Sequence, residues 1–361
     1  MKKLAIICGT LSRGGAERVT VCLADYMNRN GVPAVIITGD RSEKEYDPPA
    51  GVQRISLADG CKNGNSIAKL VYQINTLRKT IREQGVDMVL IMGVPVCIYA
   101  VPGCMGTDAK IIVSERNDPR HFAGKKIVKL TATALMCLAD GFVFQTEDAK
   151  AYYDKLLQSQ GTVIPNPLLA EKLPPVYTGL RERTIVSAGR LIEQKNQLML
   201  LDSFAKLDKR YSNYKLVLYG EGPLRRKLEH HVAALGLQQR VSLPGNVTDL
   251  LKRIQSASVF VMTSNFEGMP NVLIEAMALG LPCISTDCPC GGPKTLITNG
   301  ENGVLIPVGD QERLVVELER LLENPEKAQQ MGLAAAQIRE RLHVERIGMQ
   351  WHDYLNEING Q

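Results

Sequence analysis

Two glutamates, Glu267 and Glu275, carry the most chemical promise in this chain. They bracket Gly268-Met269-Pro270-Asn271, within the stretch 265–287, NFEGMPNVLIEAMALGLPCISTD. Pro270 suits the first position of a helix, where its fixed φ fits and its missing N–H is not needed. Val272, Ile274, Ala276, Met277 and Leu279 make that helix apolar, Gly280 offers a left-handed cap and Pro282 a stop. Residues 283–286 then read as a short buried strand. A helical carboxylate such as Glu275 is costly to bury without a partner. A loop carboxylate, bare glycine backbone and a helix N-terminus together are equipment for an anion and a sugar. As a hydrolytic pair the two glutamates fit poorly. Eight helical residues span about 12 Å, against roughly 5–9.5 Å for carboxylates flanking one anomeric carbon.

Further charges fall at 189–196, Gly-Arg-Leu-Ile-Glu-Gln-Lys-Asn. Arg190 and Lys195 leave a predicted strand and approach a predicted helix start. Two cations there suit a diphosphate, with charge-assisted hydrogen bonds of about 1.5–3 kcal/mol each; an ordinary charged surface loop is the plainer alternative. Gly220-Glu221-Gly222-Pro223 is a second tight turn at a strand end, either passing backbone groups to a nucleobase or simply turning. Several chemistries lack their signatures. There is no Asp-x-Asp, no H-E-x-x-H and no G-x-x-x-x-G-K-[ST] loop, and the five histidines show no ligand spacing. No metal ion or other cofactor is expected, so a leaving diphosphate would be neutralised by side chains and a helix dipole.

The elements that must position these groups alternate strand and helix. Leu4–Cys8 is a strand, 9–15 a glycine-containing turn, 16–30 an amphipathic helix and 33–38 a strand: a βαβ unit and hence a parallel sheet. The turn is not G-x-G-x-x-G, which disfavours a dinucleotide site. Strands follow at 51–56, 88–92, 110–113, 141–144 and 162–164, with helices at 66–84, 125–138 and 146–158. Ser114-Glu115-Arg116-Asn117 sits at a strand's carboxyl end, where ligands bind in such sheets. The proline-rich stretch 165–178 is the best linker candidate. The alternation then restarts, giving a second α/β domain and a central cleft as the default site.

Composition agrees with a globular chain of 361 residues, 45% hydrophobic and 22% charged. No apolar run reaches the ~18–20 residues that span a bilayer, and the N-terminus reads as a first strand rather than a signal peptide. Nine scattered cysteines without a C-x-x-C pair read as reduced thiols of a cytosolic protein. Residues 1–170 hold 21 Lys and Arg against 16 Asp and Glu, whereas 171–361 hold 22 of each. The first half therefore carries the whole surplus, which suits an anionic lipid surface or substrate; nucleic acid is not an expected partner.

These motifs resemble the retaining glycosyltransferases of family 4 (glycosyl transferases group 1), through the E-x7-E of 267–275, the loops 189–195 and 220–223, and Gly14-Gly15-Ala16-Glu17-Arg18. The resemblance implies the α/β GT-B fold, two doubly wound Rossmann-like domains facing a central cleft. Implied boundaries are 1–168 for an acceptor-side domain, 169–180 for a linker and 181–342 for a nucleotide-sugar domain. A helix in 343–361 returns to the first domain. Arg190 and Lys195 would hold the donor diphosphate, Glu267 the sugar and Glu275 the ribose. Gly268, Met269, Pro270 and Asn271 would meet phosphate and sugar, and Gly15 would close over the diphosphate. Gly220 and Gly222 would border the donor, and Asn246 and Val247 the base. Many relatives carry a His where Arg116 stands; an Arg cannot act as a base, so Arg116 is instead a candidate for an acceptor phosphate or donor hydroxyl. Glu115 and Arg18 are further first-domain candidates. The implied substrates are a nucleotide sugar, UDP-linked in many similar enzymes, and a glycan or lipid-linked glycan acceptor. Peripheral attachment at the inner face of the cell membrane follows, through Lys69, Lys79, Arg120, Lys125, Lys126 and Lys129. A GT-B nucleotide-sugar 2-epimerase or a non-catalytic two-lobed binding subunit are the alternatives.

Overall fold

The computed structural model describes residues 1–12, 14–61, 66–121 and 126–360; Lys125, expected in the basic surface, lies outside them. The chain divides into two compact units, Met1–Pro167 with Val344–Gln361, and Leu168–His343.

The first unit is a seven-stranded parallel sheet. Its strands are β1 (Leu4–Cys8), β2 (Ala34–Thr38), β3 (Gln53–Ser56), β4 (Met88–Met92), β5 (Lys110–Ser114), β6 (Gly141–Phe144) and β7 (Gly161–Val163), in the order β3-β2-β1-β4-β5-β6-β7. Leu4 pairs with Ala34 on one side and Met88 on the other, so β1 is central. Its five residues are all buried, as expected for a parallel strand covered on both faces. The second unit is a six-stranded parallel sheet of β8 (Glu182–Ala188), β9 (Lys215–Tyr219), β10 (Val241–Gly245), β11 (Ala257–Met262), β12 (Cys283–Thr286) and β13 (Val304–Ile306), in the order β10-β9-β8-β11-β12-β13. In both sheets the order reverses beside the first strand, placing the switch point at the carboxyl ends of β1 and β4, and of β8 and β11.

Four local features differ from expectation. The first helix is Gly15–Arg29, so Gly15 opens it rather than ending the turn. The predicted helix 146–158 is two short ones, Glu147–Ala151 and Lys155–Ser159, because Thr146 and Asp154 each cap a separate start, accepting from Ala149 N–H and Leu157 N–H. An additional helix, Cys97–Cys104, contains Pro102. Its Gly103 packs so closely on Leu77 that a Cβ would lie 2.6 Å from that side chain. The proline-rich stretch expected as a linker is bonded to the second unit. Tyr177 N–H donates to Leu279 O at 3.0 Å, and Arg339 donates to Pro174 O.

The last helix, Val344–Gly360, belongs to the first unit. Trp351 is completely buried, and the backbone N–H of Phe142 donates to Tyr354 Oη at 2.9 Å. Gly348 lies over the Tyr26 ring, where a Cβ would come within 2.5 Å of ring carbon. Gly348→Ala should therefore lower stability by about 1–3 kcal/mol through overpacking. Urea denaturation measures this, and an unchanged midpoint would contradict the packing.

Candidate active site

The core of the site is a buried ion pair in the second unit. Lys195 Nζ lies 2.5 Å from Glu267 Oε1, with the side chains only 16% and 8% exposed. Ser264 Oγ donates to the same Oε1 at 2.6 Å, and Gln194 Nε2 approaches Oε2 at 3.5 Å. These contacts join two loops, one leaving β8 and the other leaving β11. Asn265 N–H donates to Gln194 O at 2.7 Å, Asn265 Nδ2 to Glu193 O at 2.9 Å, and Thr263 Oγ1 to Asn196 O at 2.9 Å. Asn196 has a positive φ of 45°, a conformation asparagine tolerates better than most residues. The turn it makes lets helix Gln197–Ala205 begin directly after Lys195.

Glu267 is also fixed through its backbone. Its N–H donates to Pro289 O at 2.6 Å and its carbonyl accepts from Cys290 N–H at 2.9 Å. Gly268, Met269 and Pro270 are buried and lead into helix Asn271–Ala278. Pro270 is the residue before this helix, not its first turn, with ψ 106°. Glu275 lies one turn inside and is 6% exposed. The other end of the helix is clamped. Gly280 (φ 77°) donates to Met277 O and Leu281 N–H to Ala276 O, a Schellman closure. Arg339 Nε donates to Ala278 O at 2.6 Å. The helix start therefore has a fixed direction and presents its positive dipole end beside Glu267.

The remaining donor-side candidates take different positions. Arg190 is exposed; its carbonyl accepts from Gln197 Nε2 at 2.9 Å and Ile192 N–H at 3.0 Å, while its guanidinium makes no hydrogen bond or ion pair among the described residues. Gly220 and Gly222 are buttresses beneath the Arg190 loop. A Cβ on Gly220 would lie 2.0 Å from Gly189 O, and one on Gly222 would lie 2.4 Å from Leu191 O. Leu191 N–H donates to Glu221 O at 2.9 Å. Asn246, exposed, and Val247, half-buried, follow β10 at the sheet edge. Beside the Glu267 loop, Asn265, Asp287, Pro289, Pro307 and Val308 line a hollow at the carboxyl ends of β11 to β13. The contributions of Ser264, Gln194 and Asn265 escaped the sequence; the only signal was their position at the ends of strand-to-helix loops.

In the first unit, Glu115 and Arg116 sit at the carboxyl end of β5. Glu115 is buried and accepts from Tyr153 Oη at 2.7 Å and from the N–H groups of Arg116 and Asn117 at 2.9 and 3.2 Å. Burial pushes its carboxyl pKa up. Its place is beneath the turn, holding Arg116 and Asn117. Arg116 donates to Ser114 Oγ at 3.3 Å and to Asn166 Oδ1, which also accepts from Gln145 Nε2. Its Nε is buried without a partner among the described residues, and burial pushes its pKa down to about 10. It stays a cation at neutral pH, with its Nε–H unused. Gly15 opens the helix after β1, with Arg18 one turn along. Several expected surface charges have acidic partners: Lys69 pairs with Asp40 at 2.6 Å, Arg120 with Asp118 at 3.1 Å and, in a loose exposed pair, Lys79 with Glu83 at 3.7 Å. No group of three or more His, Cys, Asp or Glu among the described residues is placed to hold a metal ion.

The Gly220 contact yields a direct test. Gly220→Ala imposes a side chain at φ 128° against a backbone carbonyl. It should cost at least about 1–3 kcal/mol of stability, measured by urea denaturation; wild-type stability would contradict the buttress.

Comparison with known proteins follows the same division. Residues 177–338 match the model of Glycosyl transferases group 1, and residues 13–171 match that of Glycosyltransferase Family 4. The chain is 27% identical to an uncharacterized glycosyltransferase of Haemophilus influenzae, over 98% of this chain and all of that one. It is 26% identical, over 99% of each chain, to a Campylobacter jejuni enzyme named GalNAc-alpha-(1->4)-GalNAc-alpha-(1->3)-diNAcBac-PP-undecaprenol alpha-1,4-N-acetyl-D-galactosaminyltransferase. Among solved structures, Anabaena HepE in complex with UDP and glucose superposes with a TM-score of 0.83 at 18% identity, covering 99% of this chain and 100% of HepE. With both halves matched by their family models, and with two parallel Rossmann-like sheets, the chain belongs to the family 4 glycosyltransferases of the GT-B fold, the glycosyl transferases group 1.

Proposed function

We propose that this glycosyltransferase moves a hexose or N-acetylhexosamine from a UDP-linked donor to a lipid-linked glycan acceptor, with the anomeric configuration retained and without a metal ion. It would act in cell-surface polysaccharide or oligosaccharide synthesis at the inner face of the membrane. The observation that carries the reading is the Lys195–Glu267 pair, fixed by Ser264, at the start of helix Asn271–Ala278. The Campylobacter relative is named for an undecaprenol-linked acceptor, and HepE was solved with UDP and glucose. Both support this substrate class.

In this reading the donor lies along the helix start. Glu275 takes the ribose hydroxyls, the helix N-terminus and Arg190 take the diphosphate, and Glu267 takes the sugar hydroxyls. As the glycosidic bond to the diphosphate breaks, negative charge grows on the leaving oxygen and positive charge on the anomeric carbon. Arg190, Lys195 and the helix dipole oppose the first without reorganising, which lowers the barrier. Glu267 is engaged by Lys195 and Ser264, so it serves as a positioned hydrogen-bond acceptor rather than a nucleophile. The acceptor hydroxyl then attacks from the face the diphosphate leaves, its proton passing to the departing diphosphate oxygen. In the first unit, the Arg116 cation at the carboxyl end of β5 is the candidate for an acceptor phosphate.

A panel of UDP-, GDP- and ADP-sugars, with lipid extract as acceptor, identifies the donor. Lys195→Ala and Glu267→Ala should each lower turnover by about 10²–10³-fold while far-ultraviolet circular dichroism stays native, and chelator should leave wild-type turnover unchanged. A folded Glu267→Ala enzyme at wild-type rate would overturn the assignment. An inverted product in the proton NMR spectrum would overturn the retaining course.

A further inference from the structure

Helix Lys126–Met136 has an unusual surface. Its only buried residues are Ala132 and Met136, which share one narrow stripe. On the opposite side Ile127 and Leu130 are each 70% exposed, Ala134 is exposed, and Leu138 in the following turn is 57% exposed. Steps of three, four and four residues align these four on one face. An apolar stripe normally faces a core; here it faces outward. Charge borders it on one side only. Between Asp118 and Asp140 there is no acidic residue, while Arg120, Lys125, Lys126 and Lys129 are cationic. Lys126 is exposed; Lys129, half-buried, donates to Pro119 O at 2.8 Å and to Tyr152 Oη at 3.4 Å, its Nζ 5.6 Å from the centre of that ring, and Tyr152 is itself 45% exposed. Lys155 and Leu156, also exposed, lie further along in helix Lys155–Ser159.

We propose that this face of helix Lys126–Met136 inserts into the head-group region of an anionic bilayer, with Ile127, Leu130 and Leu138 entering the acyl boundary and the exposed Lys126 meeting lipid phosphates, while Lys129 anchors the helix margin to Pro119 and Tyr152. Apolar residues flanked by lysines, with a tyrosine at the margin, are the composition of a helix lying in a membrane interface. Of the lysines and Arg120 expected to form a basic surface, Lys69, Lys79 and Arg120 are in ion pairs, so charge alone gives a weak surface and the apolar stripe must supply much of the attachment. A second copy of the chain fits worse. A twofold contact with antiparallel helices would set each lysine-rich margin against its own copy. No helix among the described residues is long and apolar enough to cross a membrane, so the contact is interfacial. The inference deepens the lipid-linked acceptor reading and rests on it for its purpose, but the contact can be measured by itself.

The test is sedimentation with vesicles of phosphatidylcholine alone or mixed with phosphatidylglycerol. Wild type should bind the mixed vesicles, and the double variant Ile127→Ser/Leu130→Ser should bind about tenfold more weakly or less. Leu130→Trp provides a second readout. The single native tryptophan, Trp351, is fully buried, so a blue shift on adding mixed vesicles reports insertion at residue 130. Turnover of a water-soluble acceptor lacking the long lipid tail should be equal in wild type and the double variant. Equal vesicle binding by the double variant, or no blue shift, would overturn the proposal. So would self-association that the double variant abolishes while vesicles are ignored. If the wild type transfers no sugar to any acceptor, the functional reading fails while the vesicle result still decides this one.

Discussion

The contact between Lys195 and Glu267 is the constraint on which the second unit's site depends. Taking two charges out of water costs several kcal/mol per ion, and their attraction roughly offsets that, so such pairs contribute little net stability. Its value is positional. To bring Lys195 onto Glu267, the loops after β8 and β11 must meet. They do so through Asn265 on Gln194 and Thr263 on Asn196. The β8 loop in turn rests on the two glycines after β9, and the Glu267 backbone is tied to the turn after β12. Four consecutive loops at one end of a parallel sheet are thereby held in register around a single carboxylate.

The fold was legible because parallel strands buried on both faces read as continuous apolar runs, and those of β1, β2 and β4 stand out against their helices. Helix Ser66–Gln84 matched its expected bounds, as did the E-x7-E helix to within a residue. What escaped was decided by local competition. Helix Cys97–Cys104 follows Pro95 and contains Pro102, residues that ordinarily interrupt helices, so no helix was expected there. The break at Tyr152 followed from a capping aspartate, Asp154. Strand order was also beyond the sequence, since pairing depends on contacts far apart in the chain.

The candidate site was legible in its charges and illegible in its supports. Arg190, Lys195, Glu267 and Glu275 stood out as residue types and spacings. Ser264 and Gln194 did not, because a hydroxyl and an amide near a strand end are common everywhere. Gly220 and Gly222 looked like ligand-facing glycines, yet each has a backbone carbonyl where its Cβ would sit. The basic first half shows the reverse case. Composition showed the surplus charge, and only the structure separated the lysines in ion pairs from those on the apolar helix face.

The start of helix Asn271–Ala278 is the proposed donor site, and a crystal structure of the protein with UDP is its decisive test. The diphosphate should lie at that helix start, within hydrogen-bonding reach of Arg190 or Lys195, with the ribose hydroxyls on Glu275. A nucleotide bound elsewhere, with Glu275 untouched, would contradict it.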